Sequence, residues 1–240
     1  MTAAMEYFPI NTPSGRVWST LKLADFALYV ERQVKAFFPD QRPVSLSDLE
    51  AASDRALAAI ARGWTYIALP GYSRDGESSL SHLHSDQYAA FLALLARELS
   101  LAQSSELATR VYLLNKALHG FDLFHEVALP EVFVFVHPVG TVIGRAKLGN
   151  FLCIYQNCSI GGNPREGKLD YPTLGDGVLM YAKSSIIGNS KIGSRVVLGA
   201  GSAVINGDVP DDSLVAGTAI KPAKKSVATF LSRIFRGLPQ

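Results

Sequence analysis

Sulfur is scarce in this chain: its 240 residues hold two cysteines, Cys153 and Cys158, and three methionines. Two thiols cannot staple a fold, and neither stands in a Cys-x-x-Cys or Cys/His spacing. A disulfide framework is therefore excluded as the organising principle, and no metal is expected. The pair flanks one strand turn, which reads as buried free thiols in a reducing cytoplasm rather than a bridge. An excess of one charge is missing too. Lys and Arg number 23 against 21 Asp and Glu, a formal net charge of +2, so no basic footprint for nucleic acid is present. No apolar stretch approaches the roughly 18 residues that span a bilayer, so no membrane segment is expected. Residues 1–15 lack a basic start and an apolar run, which argues against a signal peptide. Nothing matches a P-loop, a dinucleotide fingerprint or a nucleophile elbow. What is present is material for a core: 48% of the residues are hydrophobic and 18% charged, which excludes a disordered chain.

The clearest order lies in residues 173–205. Reading every sixth position returns Leu174, Met180, Ile186, Ile192, Leu198 and Val204. Two positions before all but the first stand small or β-branched residues: Val178, Ser184, Ser190, Val196 and Ser202. A helix does not give period six, and a plain strand does not bring glycine back at regular intervals as Gly175, Gly193 and Gly199 do. This is a hexapeptide repeat, one short strand plus a turn per hexad, and it predicts a parallel β-helix. The every-sixth side chains point inward, and glycine is expected to supply turn geometry that a Cβ opposes. The spacing continues upstream through Ile160, Ile154 and Leu148, then slips by one residue to Ile143. Residues 162–172 interrupt it.

The first half reads differently. Residues 1–17 carry Pro9 and Pro13 and no periodicity, and are expected to be an arm on the surface or on a neighbouring subunit. Residues 21–38 carry Leu23, Phe26, Val30, Val34 and Phe37 at helical spacing, with Pro39 as the stop. A second helix is expected from a capping box at Ser47 and Glu50 to Arg62, ending at Gly63. Residues 64–69 read as a short extended piece and 71–81 as a polar loop. Two more helices are expected over 86–99 and 105–118, closed by Gly120. The fold class is α+β: a helical unit over 1–120, the β-helix over 121–225 and a tail over 226–240. The tail is expected to be a short amphipathic basic helix carrying Phe230, Leu231, Ile234 and Phe235, which caps the open end of the coil.

The run His137-Pro138-Val139-Gly140-Thr141-Val142-Ile143-Gly144, then Gln156-Asn157-Cys158-Ser159-Ile160-Gly161-Gly162, the interruption, the regular hexads and a closing Val215-Ala216-Gly217-Thr218-Ala219-Ile220-Lys221-Pro222 together resemble the serine acetyltransferases. The likeness is specific over roughly 122–225 and only one of layout and size before that. It implies a left-handed β-helix, acetyl-CoA as donor, a small-molecule hydroxyl acceptor, and homotrimers or dimers of trimers with sites between neighbouring β-helices. His137 falls on the family's catalytic histidine, and Asp122, fifteen residues upstream, on the carboxylate that orients it. Gly162, Ala182, Ala200 and Lys221 fall at positions resembling the family's CoA groove. The chain departs from the family where the loop usually ends in Arg-His-Pro. Here Asp170-Tyr171-Pro172 stands in those acceptor-side places, and Val136 replaces an aspartate before the histidine. An anion gained where a cation is lost is unfavourable for a free carboxylate, so the acceptor is open.

The chemistry needs an alcohol made nucleophilic. A neutral imidazole takes its proton, and a carboxylate on the other ring nitrogen fixes the tautomer. Without its flanking motif, His137 reads as a satisfied histidine on a coil edge. Glu126 and Glu131 compete with Asp122 for the carboxylate role. Tyr171 reads either as a donor to the acceptor or as a loop aromatic packed on a coil. His82 and His84 precede a helix start and are weaker candidates for an acceptor pocket. The expected activity is acetyl-CoA-dependent O-acetyl transfer of the serine acetyltransferase type. The alternatives are a sugar or polysaccharide-precursor O- or N-acetyltransferase, or a β-helix binding protein without turnover.

Overall fold

The computed structural model describes residues 6–165 and 167–238. The ends of the expected arm (1–5) and tail (239–240), and Glu166 of the interruption, lie outside the described residues.

The hexads form a parallel β-solenoid with three faces. The first face is the stack β5 (Asp122–Leu123), β7 (Val142–Ile143), β9 (Ser159–Gly161), β14 (Ser185–Ile187) and β17 (Ala203–Ile205). The second is β6 (Phe133–Phe135), β8 (Leu152–Ile154), β13 (Val178–Met180), β16 (Val196–Leu198) and β19 (Ser213–Ala216). The third, shorter face is β12 (Thr173–Leu174), β15 (Lys191–Ile192) and β18 (Asp208–Val209). Every expected inward residue from Leu174 to Val204 is buried, and so are the small partners Ser184, Ser190 and Ser202. Ser190 closes its own turn, donating to Ile187 O at 2.8 Å, whereas Ser202 reaches across to the next coil and donates to Val215 O at 3.0 Å.

The repeat glycines act through space rather than through φ. Gly175 and Gly193 are not among the residues with positive φ. They stack instead: a Cβ on Gly149 would meet Gly175 O at 2.3 Å, and one on Gly175 would meet Gly193 C at 2.8 Å. Left-handed turns fall on side-chain-bearing residues such as Phe151, Asn157, Lys183, Arg195, Asn206 and Asp212 as well as on other glycines, Gly177, Gly188, Gly201 and Gly217. The expectation that these glycines serve turn geometry is corrected to close backbone approach between coils.

The interruption is a hairpin, β10 (Asn163–Arg165) with β11 (Lys168–Asp170), rising from the end of β9. After the last coil the chain turns back as β20 (Ala219–Pro222), antiparallel to β19, so the terminal strand edge is covered. The tail helix α5 (Lys224–Ser232) does not lie over the open end. It runs along the flank of the second face, where Phe230 meets Tyr181 and Phe235 meets Phe151 edge to face. Its continuation is pinned to the first half, with Ala68 N–H donating to Ile234 O at 2.7 Å.

Four helices precede the solenoid: α1 (Leu23–Phe37), α2 (Leu46–Gly63), α3 (Ser85–Leu101) and α4 (Ser105–His119). α3 is buried along most of its length and packs between α2 and α4 and against β6. Phe26 meets Phe91 at 4.7 Å between ring centroids, and Phe121 meets Phe135 at 4.7 Å, so the core runs on into the first coil. Gly120 ends α4 at φ 59°.

Several local expectations give way here. Phe37 is 47% exposed rather than part of the apolar stripe. The cap of α2 is Ser45, whose Oγ accepts Asp48 N–H at 3.2 Å, so the box expected at Ser47 is two residues late. Residues Trp64–Tyr66 form a 3₁₀ turn instead of an extended piece. The arm and the polar loop are strands: β1 (Phe8–Thr12), β2 (Gly15–Ser19), β3 (Ser73–Arg74) and β4 (Glu77–Leu80) make one sheet in the order β1-β2-β4-β3. The β2–β4 pairing joins Val17 to Ser78 in parallel across some sixty intervening positions, and no local pattern announces such a contact.

Candidate active site

Every coil turns from the second face to the first through a short corner. Residues 155–158, 181–184 and 199–202 serve the later coils, but 136–141 serve the first, two residues more. The later corners each use one left-handed residue (Asn157, Lys183, Gly201), while the first uses His137 at φ 49° and Gly140 at φ 73°. The extra length pushes His137 out of the column, and its side chain is 72% exposed. Gly140 is poorly replaced, because its φ of +73° strains any L side chain and a Cβ there would meet Asn157 Oδ1 at 2.3 Å unless that side chain moved.

The carboxylate that meets His137 comes from the helical half. Asp86, in the first turn of α3, accepts the His137 backbone N–H at Oδ2, 3.0 Å, and the same oxygen lies 3.5 Å from Nδ1. Ser85 Oγ donates to its other oxygen at 3.2 Å. The Asp86 side chain is only 6% exposed. A buried carboxylate needs compensation, and the α3 N-terminus with its free N–H groups supplies it. The end of α4 fastens to the same loop, with Gly140 N–H donating to Gly120 O at 2.9 Å. His119 sits nearby, its Nδ1 2.8 Å from Asn115 Oδ1. Burial lowers its pKa, against smaller opposing effects of Asn115 and Asp86.

Asp122 has other partners. Its oxygens accept Tyr112 Oη–H at 2.6 Å and Lys116 Nζ–H at 2.6 Å. Burial alone would raise its carboxyl, but the ammonium and the phenol together hold it below its ordinary value. Asp122 thus ties α4 to the first coil, and among the described residues the carboxylate in contact with His137 is Asp86 rather than the expected Asp122.

Ala182 and Ala200 do share the His137 corner. Asn157 N–H donates to Val139 O, Lys183 N–H to Gln156 O and Gly201 N–H to Ala182 O, at 2.9, 3.0 and 2.9 Å, one continuous column. Lys221 lies exposed on the antiparallel return strand, opposite Leu214. Gly162 is elsewhere, at the far end of β9 at the foot of the hairpin. A Cβ there would meet Tyr171 Cε1 at 2.8 Å and Asp170 O at 3.1 Å. Asp170 pairs with Asn163 at the hairpin base. Within one chain, Gly162, Asp170 and Tyr171 therefore stand at the opposite edge of the first face from His137. His82 is held by Thr20, Nδ1 to Oγ1 2.7 Å, and packs on Tyr29, while His84 meets the ring of Tyr72. Asp86 is the neighbour of His137 that the sequence does not announce. Its only sequence signal is an acid in a first helical turn, and which coil that turn would meet is not a local property.

The fold and corner define the class as a hexapeptide-repeat solenoid bearing an exposed histidine. No family model matches the chain. It is 35% identical over 105 residues to the serine acetyltransferase of Synechococcus elongatus, covering 43% of each. It is 30% identical over 175 residues to serine acetyltransferase 2 of Arabidopsis thaliana, 72% of this chain and 49% of that protein. The chain thus spans about half the length of these curated relatives. Among solved structures, the serine acetyltransferase of Neisseria gonorrhoeae superposes with a TM-score of 0.65 at 25% identity, covering 85% of this chain and 79% of that one.

Proposed function

We propose that the chain is an acetyl-CoA-dependent O-acetyltransferase of the serine acetyltransferase type, acting with His137 as general base. The observation that carries this is the corner itself: an exposed imidazole with a buried carboxylate behind it, in a column with Ala182 and Ala200. The acceptor O–H gives its proton to Nε2 as the oxygen attacks the thioester carbonyl. The C–S bond then breaks, and the thiolate leaves as CoA after taking up the proton. The small residues of the column leave backbone open to an extended donor, with Lys221 beyond them for its phosphates. Gln156, in the same column, keeps a buried amide oxygen without a partner among the described residues, a group suited to a ligand donor.

The first face supports the oligomeric part of the reading. It presents Val142 and Ile205 outward, 45% and 61% exposed. Covering this face with another copy, as a homotrimer or a dimer of trimers, would bring the hairpin of one subunit toward His137 of the next. Gly162, Asp170 and Tyr171 belong to the site in that arrangement. The unit division at residues 120 and 225 and a cytoplasmic location, fitting the two buried free thiols, are part of the same reading. No helix among the described residues is long and apolar enough to cross a membrane. A sugar or polysaccharide-precursor acceptor is the second reading, favoured by Asp170 in the place of a cation.

The experiment is release of free CoA from acetyl-CoA with L-serine and then a sugar panel, for the natural chain and His137→Ala. A loss of roughly 10²-fold or more is expected in the variant. Turnover with serine fixes the first reading, turnover only with a sugar fixes the second, and turnover untouched by the substitution removes His137 as the base.

A further inference from the structure

We propose that Asp86, contributed by the helical half, is the positioning carboxylate of His137, and that Asp122 serves as a tether. The proposal rests on the reading of His137 as the base. Its ground is geometric. A single oxygen of Asp86 accepts the His137 backbone N–H at 3.0 Å and stands 3.5 Å from Nδ1 of the same residue. The left-handed turn at φ 49° is what aims both nitrogens at one oxygen. An acceptor on the Nδ1 side keeps the proton there and leaves the Nε2 lone pair free to take one from the acceptor. The imidazolium formed during attack is then stabilised by a charge that solvent scarcely reaches, since Asp86 is 6% exposed while His137 is open. The gap of 3.5 Å is of the kind that closes when a site fills.

Asp122 has neither property. Tyr112 and Lys116 occupy its two oxygens at 2.6 Å each. Among the described residues the side-chain hydrogen bond of Asp86 is to Ser85 and its ion-pair contact is with His137; its charge is also felt at His119 and Tyr72. Placing the carboxylate on α3 also gives the helical half a part in the chemistry: the distance from Asp86 to His137 is set by how α3 packs on β6.

The test has two arms. In the first, kcat and KM for CoA release are compared for the natural chain, Asp86→Asn and Asp122→Asn, with whichever acceptor the natural chain uses. Asp86→Asn is expected to lower kcat by about 10²-fold or more with KM for acetyl-CoA within about twofold, and Asp122→Asn to keep kcat within about threefold. The reverse order would overturn the proposal. In the second arm, ¹⁵N-edited imidazole NMR of the resting protein identifies the His137 tautomer, assigned through its absence in His137→Ala. The Nδ1–H form is expected in the natural chain and in Asp122→Asn, with a shift toward Nε2–H in Asp86→Asn. A natural chain already in the Nε2–H form sinks the proposal without any variant. Failure of all acceptors in the first arm would instead count against the activity, and the NMR arm still decides the role of Asp86.

Discussion

The two halves of the molecule bury apolar surface by different logics. In the solenoid each coil repeats the last, so Met180, Ile186 and Leu198 are all fully buried by the same local rule. In the helical half no rule repeats. α3 is nearly enclosed because α2, α4 and β6 all pack on it, and the sheet β1-β2-β4-β3 forms by joining segments far apart in sequence. The solenoid is specified by a period, the helical half by meetings. The corner that carries His137 stands where the two join: its histidine belongs to the first, and the carboxylate beside it comes from the second.

The strongest test of that contrast compares the two cores. Phe91→Ala empties the centre of the helical half and is expected to cost about 4 kcal/mol, and Leu198→Ala about 3 kcal/mol in the coil. Because Phe121 and Phe135 carry the core across the junction, both should lower one shared unfolding transition in denaturant. Two separated transitions in Phe91→Ala alone would show that the coil stands without its helices.

A second test stays within the solenoid. Gly149→Ala forces a Cβ to within 2.3 Å of Gly175 O and 2.4 Å of Gly175 C, both backbone atoms that the stack holds. About 3 kcal/mol should be lost. Gly201→Ala meets nothing within 4 Å and carries only the strain of φ +70°, about 1 kcal/mol. Equal losses in urea melts would mean that turn conformation, and not close stacking, is what these glycines protect.

Legibility follows the same division. The inward hexads, the buried serines and the four helices could be read because each depends on neighbours in sequence. The repeat also puts His137, Ala182 and Ala200 on stacked corners of successive coils, which is a matter of spacing alone. Period alone misassigned the repeat glycines, since turn strain and stacking both demand glycine and only the neighbouring coil separates them. The arm at residues 8–19 and the loop at 73–80 hid a sheet because Val17 pairs with Ser78, not with an adjacent segment. The contact of Asp86 with His137 was invisible for that reason too, and Asp122 turns to Tyr112 and Lys116 because spacing along a coil does not say which way a carboxylate points.

Smaller effects sharpen the boundary. Ser45→Ala should cost about 1 kcal/mol and Ser47→Ala only a few tenths, which a pair of thermal melts would separate. Acid should act on the first half. Burial lowers the pKa of His82 and His119 there, and of His125 where the chain enters the first coil, from the ordinary value of 6.5. A base held neutral by the fold binds fewer protons than its unfolded form. The stability this reflects is therefore complete above about 6.5 and is lost as pH falls from there toward the lowered folded values. No histidine follows His137 in the chain. A drop in Tm between pH 7.5 and 5.5 should thus flatten in part in His82→Gln/His119→Gln and further when His125→Gln is added, and a drop unchanged in the triple variant would move the acid-sensitive groups elsewhere.

The smallest expected effect discriminates most between the two carboxylates. Lys116 is 48% exposed, so its pair with Asp122 is largely screened, and Lys116→Met should cost no more than about 0.5 kcal/mol. The Asp122 carboxyl is held below its ordinary 3.8, so what the pair does contribute is present above that value and disappears as pH falls through the lowered one. At neutral pH the variant should release CoA at close to the natural rate, because its loss loosens α4 from the first coil without touching the contact between Asp86 and His137. If Lys116→Met instead lowers kcat as far as Asp86→Asn does, Asp122 acts on the imidazole after all. The helical half would then be a clamp on the coil and not a contributor to its chemistry.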